Sequence, residues 1–388
     1  MIRYRTAKKM AIEGNGIMDP RAESDSSTRQ DTLEPLVPVA TAVGSFWLRR
    51  TAFIQILLLA VVLLIKNGFD IELRNIQDAY LPGSLTFPDP VGYFSASFGQ
   101  VIFVNALGLS TTALWVGAHI LLTVFVLVVA AWFVIRNGSV NRSYLLVVLA
   151  SATSVSAVML SIGKYDIFTF AGGVILVLAR SNWVAGVGAL VLASGNPEQA
   201  ILASLSLLVL SQASSFRQFR ARSIIALSVS ILSWIVVQIW FISAGLDLGR
   251  VSLIPDFLGE SLSNILTAPL QEIWAWLGVG WFIVIPAIIL IKGRERLILI
   301  AGVIVIPALA TIITADGARV FGAIVLPTFL VVGIWLASHK IEPSRYARSI
   351  LGFFIILLVL LPTTLDKPGW FDGQVRGQVM SVTEQIFG

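Results

Sequence analysis

Residues 114–135 read LWVGAHILLTVFVLVVAAWFVI, and Arg136 follows at once. His119 is the one titratable side chain inside the stretch. As a helix rising 1.5 Å per residue it reaches about 33 Å, enough for a hydrocarbon core of about 30 Å. The stretch therefore predicts a transmembrane helix, and the rest of the chain agrees with it. Of 388 residues, 56% are hydrophobic and only 13% charged, and the mean hydropathy is +0.87. A soluble domain carries about 25% charged residues. Half that density leaves too little polar surface to face water, so lipid must cover much of the protein.

Similar apolar runs, bounded by charges or Pro/Gly clusters, recur at 46–65, 143–161, 167–178, 183–194, 200–214, 224–244, 273–291, 297–314, 320–338 and 350–361. Several fall short of the roughly 20 residues of a full span. The run at 183–194 reads as a half-helix or as a span that borrows polar flanks. The expected fold is an all-α polytopic transmembrane helix bundle of about eleven spans over residues 46–364, with no large soluble domain. Residues 1–45 read as a disordered cytoplasmic tail, because stretches such as Ser26–Asp31 cannot bury a core. That tail is too long and polar for an ordinary cleaved signal peptide. Residues 66–100 form a long first outer loop broken by Pro82, Pro88 and Pro90. Tyr93, Phe94, Phe98 and Val101, among small polar residues, suggest a helix lying at the membrane surface.

Basic residues orient the chain. Arg49/Arg50, Arg136/Arg142, Arg180, Arg217/Arg220/Arg222, Lys292/Arg294/Arg296 and Lys340/Arg345/Arg348 fall at every second loop. The positive-inside rule puts these in the cytoplasm. The N-terminus is then cytoplasmic, and residues 365–388 are a short extracytoplasmic tail at the plasma membrane. The net charge of +5 comes from these scattered clusters, and no basic patch with interleaved aromatics appears, so nucleic acid is excluded as a partner. There is no cysteine, and the two histidines, His119 and His339, make no metal-ligand spacing. His119 reads as a satisfied interior histidine rather than a proton relay.

The alternate, outer loops hold the remaining ionisable groups: Asp70, Glu72, Arg74 and Asp78; Lys164-Tyr165-Asp166; Asn196-Pro197-Glu198-Gln199; and Asp316-Gly317-Ala318-Arg319. Any one of these is ordinarily a solvated turn. As a set they gather acids, amides and cations on one face. Charge at membrane depth is tolerated facing a polar cavity or a partner. That pattern fits group transfer at an outer membrane surface. A carboxylate takes the proton of an acceptor hydroxyl. Lys164, Arg319 or Arg74 stabilises a leaving phosphate. Tyr165, Asp166, Asn196, Glu198, Gln199 and Asp316 bind hydroxyls of the group transferred or position the cations. The acids could equally hold a divalent cation on oxygen ligands, and the residues leave metal and metal-free chemistry both open.

In layout the chain resembles the integral-membrane glycosyltransferases of the GT-C superfamily. The likeness lies in a short cytoplasmic start, a first span, a long first outer loop opening with acids, a surface helix and then many spans, over residues 46–364. The resemblance implies a polyprenyl-phosphate sugar donor and a glycan, lipid or protein acceptor. It also implies a catalytic base among Asp70, Glu72 and Asp78, with Asp70 nearest the span end. Many members pair two adjacent acids and carry a soluble C-terminal domain, whereas Ile71 separates Asp70 from Glu72 here. Three other readings compete. A lipid-linked glycan polymerase or ligase would lean on more outer arginines than Arg74, Arg250 and Arg319. A transporter or flippase would interrupt its helices mid-span. A structural membrane subunit would pair its outer charges with a partner chain.

Overall fold

A computed structural model describes residues 36–69, 71, 97–109, 111–137, 142–243, 245, 258–259, 261–263, 265–312, 314, 317–341 and 346–361. In chain order the helices are α1 (Leu36–Leu48), α2 (Ala52–Asn67), α3 (Phe98–Ala106), α4 (Thr112–Asn137), α5 (Arg142–Ser151), α6 (Thr153–Met159), α7 (Asp166–Leu178), α8 (Asn182–Gly195), α9 (Pro197–Leu210) and α10 (Arg220–Ser243). They continue with α11 (Pro269–Leu277), α12 (Trp281–Leu290), α13 (Gly293–Ile300), α14 (Ile306–Thr311), α15 (Gly317–Leu336) and α16 (Ala347–Leu360). Among the described residues there is no strand, only one isolated parallel bridge between Ile71 and Ile162.

The fold is all-helical and suited to a membrane. Among the described residues four helices are long and apolar enough to cross one: Thr112–Arg136, Ser214–Ser243, Pro269–Leu290 and Gly317–His339. The pair α5–α6 makes a fifth if counted as one bent span. Leu121, Phe125 and Ile242 are 71%, 64% and 72% exposed. Apolar surface left open to that degree calls for lipid rather than water around the bundle. At the centre, α15 is buried almost throughout and packs against α6, α7, α9, α11 and α12. One hydrophobic core joins nearly every helix.

Local sequence sets the helix ends. The run at 46–65 is not one helix. The Thr51 hydroxyl accepts from the Ile54 amide at 3.4 Å and starts α2 afresh after Arg49-Arg50. Gly68, at φ +67°, closes it, a conformation that costs glycine little. Residues 36–45, expected in a disordered tail, form most of α1. Nor is the run at 143–161 continuous. It bends by 59° between α5 and α6, where Gly280 and Gly322 let neighbouring helices close on Ser151 and Thr153. The expected surface helix around residues 93–101 is instead α3. Gln100, Val101 and Val104 are buried, and Gly99 lies against Ser194 of α8.

At the basic end of the bundle, arginines close helix ends. Arg180 donates to the Arg136 carbonyl and Arg222 to the Val177 carbonyl, each at 3.0 Å, and Arg296 donates to the Ile291 carbonyl at 2.9 Å. Glu295, in the first turn of α13, accepts from the Ser214 hydroxyl and amide and from the Ser215 hydroxyl. The hydroxyls of Ser214 and then Ser215 hold its carboxyl below the ordinary 4.5. A depressed carboxylate contributes stability above its unfolded value and loses it as pH falls through the folded value. Below about pH 4.5 the melting temperature of the native protein should therefore fall more steeply than that of Glu295→Gln. Parallel pH profiles of the two would contradict the assignment.

Candidate functional site

The end of the bundle opposite those arginines is polar and buried. It is built where helices begin. Asn196 separates α8 from α9 in an extended conformation, and its Oδ1 accepts from the amides of Glu198 and Gln199, both at 3.1 Å. Pro197 follows at the first helical position, where its missing N–H costs nothing. Asn196 is thus a helix cap first, and its carboxamide oxygen is engaged by the backbone. Asn196→Ala should lower stability by about 1 kcal/mol, read as a lower melting temperature. An unchanged melting temperature would deny the cap that role.

Asp166, in the first turn of α7, meets Arg319 in the first turn of α15. Arg319 Nη1 donates to Oδ1 at 3.0 Å and to Oδ2 at 2.9 Å. The two side chains are 5% and 13% exposed respectively, so the contact is well shielded from solvent. The guanidinium carbon lies 5.4 Å from the centre of the Tyr165 ring. Tyr165 is wholly buried, and its hydroxyl finds no hydrogen-bond partner. Thr169, one turn along α7, and the Oε1 of Gln199 are likewise buried without a partner. Gly195 lets these elements meet, since a Cβ there would strike the Thr169 hydroxyl and come within 3.0 Å of the Tyr165 carbonyl. The first turns of α7, α9 and α15 therefore converge, each presenting the positive end of its dipole.

Lys164 stands in the preceding turn, where Gly163 takes φ +101° and gives its carbonyl to Gln100 of α3. Ile71 pairs with Ile162 in the same turn, so the first outer loop returns to the bundle here. Asp70, Glu72, Arg74, Asp78 and Asp316 lie outside the described residues. Of the expected set, the structure brings Lys164, Tyr165, Asp166, Asn196, Glu198, Gln199 and Arg319 to one end of the bundle. Of the two roles expected for Asp166, binding ligand hydroxyls or positioning a cation, the geometry shows the second, since it holds Arg319 through both carboxylate oxygens. Thr169 escaped the sequence reading because a hydroxyl inside an apolar run carries no charge to flag it, and Ser97 and Gln100 because uncharged polar residues are ordinary in a loop. Among the described residues no three His, Asp or Glu side chains cluster as a metal site.

An apolar groove with a free volume of about 190 Å³ runs between α2, α4, α5 and α6 and reaches Met159, the last residue of α6. Ile56, Leu63, Val124, Leu146, Val155 and Met159 are among its lining residues. Ala60, Leu64, Val124 and Val128 are exposed, so it opens toward lipid. The end of it nearest Lys164 is marked by Met159, whose sulfur receives the Asn67 amide at 3.9 Å. His119, on the other side of α4, is buried against Trp115 and Phe103. Its Nδ1 lies 2.9 Å from the Trp115 carbonyl, while Nε2 has no partner, so it is only half satisfied.

Comparison with protein-family models, with curated proteins and with solved structures finds no match to this chain.

Proposed function

We propose that the protein is a membrane glycosyltransferase. It would move a sugar from a polyprenyl-phosphate carrier to a glycan, lipid or protein acceptor on the extracytoplasmic face of the plasma membrane. The observation that carries the reading is the buried polar end, where three helix N-termini and Arg319 gather beside a groove fit for an isoprenoid chain. Helix N-termini attract oxyanions. In this reading α2, α4, α5–α6, α7, α8, α9, α10, α11–α12, α13–α14, α15 and α16 are eleven of the crossings of a GT-C-like bundle.

A first-loop acid, Asp70 or its rivals Glu72 and Asp78, takes the proton of the acceptor hydroxyl. The acceptor oxygen forms a bond to the anomeric carbon while the bond from that carbon to the phosphate oxygen breaks. The carrier phosphate leaves with the electron pair. Lys164, Arg319 and Arg74 offset its charge, and a divalent cation on the first-loop acids would do the same work. Tyr165, Asp166, Asn196, Glu198, Gln199 and Asp316 line or position the sugar site.

Transfer of radiolabelled sugar from the lipid-linked fraction of membranes carrying the protein tests the assignment. Asp70→Asn or Asp78→Asn should lose on the order of 100-fold in rate or more. Full activity in both variants at normal protein levels eliminates the base. The 59° break between α5 and α6 favours a second reading, a transporter or flippase, because interrupted spans recur in such proteins. Vesicle uptake with no covalent product would support it.

A further inference from the structure

The first helix has a direction. Gly44 lies against the Arg348 carbonyl, and Gly352 against the Ala40 carbonyl. Thr41 and Ser349 share a hydroxyl hydrogen bond of 2.6 Å. As the residue number falls from 44 to 40 along α1, its partner on α16 rises from 348 to 352. The two helices run antiparallel at backbone contact, the arrangement that small residues permit in membranes.

Both ends of α1 can be levelled against the rest of the bundle. At its C-terminal end, Trp47 donates to the Ser143 carbonyl at 3.3 Å, and the Trp47 carbonyl accepts from Gln55 at 2.9 Å. Ser143 follows Arg142 at the start of α5, so this end of α1 lies with the basic clusters. On α16, the Leu358 carbonyl accepts from Lys66 Nζ at 3.0 Å, and Lys66 is in the last turn of α2. Extended by its own spacing, the α1–α16 register sets Leu36 beside about residue 356, within a turn of Leu358. α1 therefore climbs to the level where α2 ends.

The open face of α1 is apolar. No charged residue occurs from Leu36 to Leu48. Val37, Val39, Phe46 and Leu48 point outward, 42–52% exposed. A helix apolar on its packed side and on its open side belongs inside the bilayer.

We infer that α1 and α2 form a transmembrane hairpin whose turn, Arg49–Thr51, lies on the cytoplasmic side. The chain then enters the bilayer from the extracytoplasmic face. The N-terminal end of α1 shares that face with Arg319 and Asp166, in place of the cytoplasmic entry expected from sequence. Arg49-Arg50, immediately after α1, is the flank that positive-inside orientation keeps in the cytoplasm. The inference is independent of the proposed activity.

A chain with no cysteine permits a direct test. Single cysteines are introduced in the full-length protein at Ser26 or Thr32 ahead of α1, at Thr267 as the extracytoplasmic reference, and at Gln218 as the cytoplasmic one. Intact cells are treated with a membrane-impermeant maleimide before and after permeabilisation, and an N-terminal epitope is scored for protease removal from intact cells. Ser26→Cys and Thr32→Cys should label in intact cells as Thr267→Cys does, at least 10-fold above Gln218→Cys, and the epitope should be removed. Labelling of both tail positions only after permeabilisation, or an epitope that survives protease on intact cells, overturns the hairpin.

Discussion

Replacing Arg319 with methionine should destabilise the bundle by about 3–5 kcal/mol, the cost of stranding a buried carboxylate. The magnitude follows from burial. Asp166 is 5% exposed and Arg319 13%, so water cannot take over from the lost partner. The first turn of α7 offers some relief, since its dipole still faces the carboxylate. The double variant Asp166→Leu/Arg319→Met removes both charges and should recover most of the loss, because apolar replacements of a buried pair are often close to neutral. Thermal unfolding of the purified protein, followed by its tryptophan fluorescence, measures all three. If R319M melts with the native protein, the pair contributes nothing. If the double variant is worse than the single one, the site depends on more than the pair. The same proteins separate stability from the proposed function: a double variant that folds yet fails in the proposed sugar transfer assigns the pair to the ligand site.

Gly172→Val should be comparably harmful, by a different route. A Cβ at Gly172 would overlap the Leu192 amide and come 2.7 Å from the Gly188 carbonyl. Gly188 faces the Leu176 amide at 2.6 Å in the same way. These obstacles are backbone, so no rotamer change relieves them, and α7 must move off α8. Overpacking of that kind costs about 1–3 kcal/mol and more when whole helices must part. α7 carries Asp166 and α8 leads into Asn196, so the displacement would also open the polar end. Gly117→Ala is the control, because a Cβ there meets nothing within 4 Å. The yield of monodisperse protein and its melting temperature should fall for Gly172→Val and hold for Gly117→Ala. Equal behaviour of the two would refute the close approach.

Much of this architecture could be read from sequence, because lipid imposes long apolar runs and tolerates few charges. The run at 114–135 became α4, and the alternation of basic loops reappears as the end where Arg180 and Arg222 meet the carbonyls of Arg136 and Val177. The breaks were hidden. Ala152, where α5 bends into α6, is a good helix former, so nothing local marks the bend, and the close approach of Gly322 on α15 to Thr153 there is long-range in sequence. α1 was concealed by Pro38, Thr41 and Ser45, which lower the hydropathy of residues 36–45. Yet Pro38 sits in the first turn, where proline is tolerated. At the site, the charges on one face were visible while their pairing was not. Asp166 and Arg319 are 153 residues apart, and nothing local distinguishes a bonded pair from two solvated turns.

The arginines at the basic end serve the protein twice. During insertion only their charge matters, since it decides which loops stay behind. Once the helices have assembled, the planar guanidinium of Arg180 becomes a fastener on the end of α4, and that of Arg222 on the end of α7. Lysine would repeat the first service with its point charge and perform the second poorly, for want of a rigid fork of donors. A chain rewritten with lysines should thread the membrane the same way round and then fray at the basic end of the bundle.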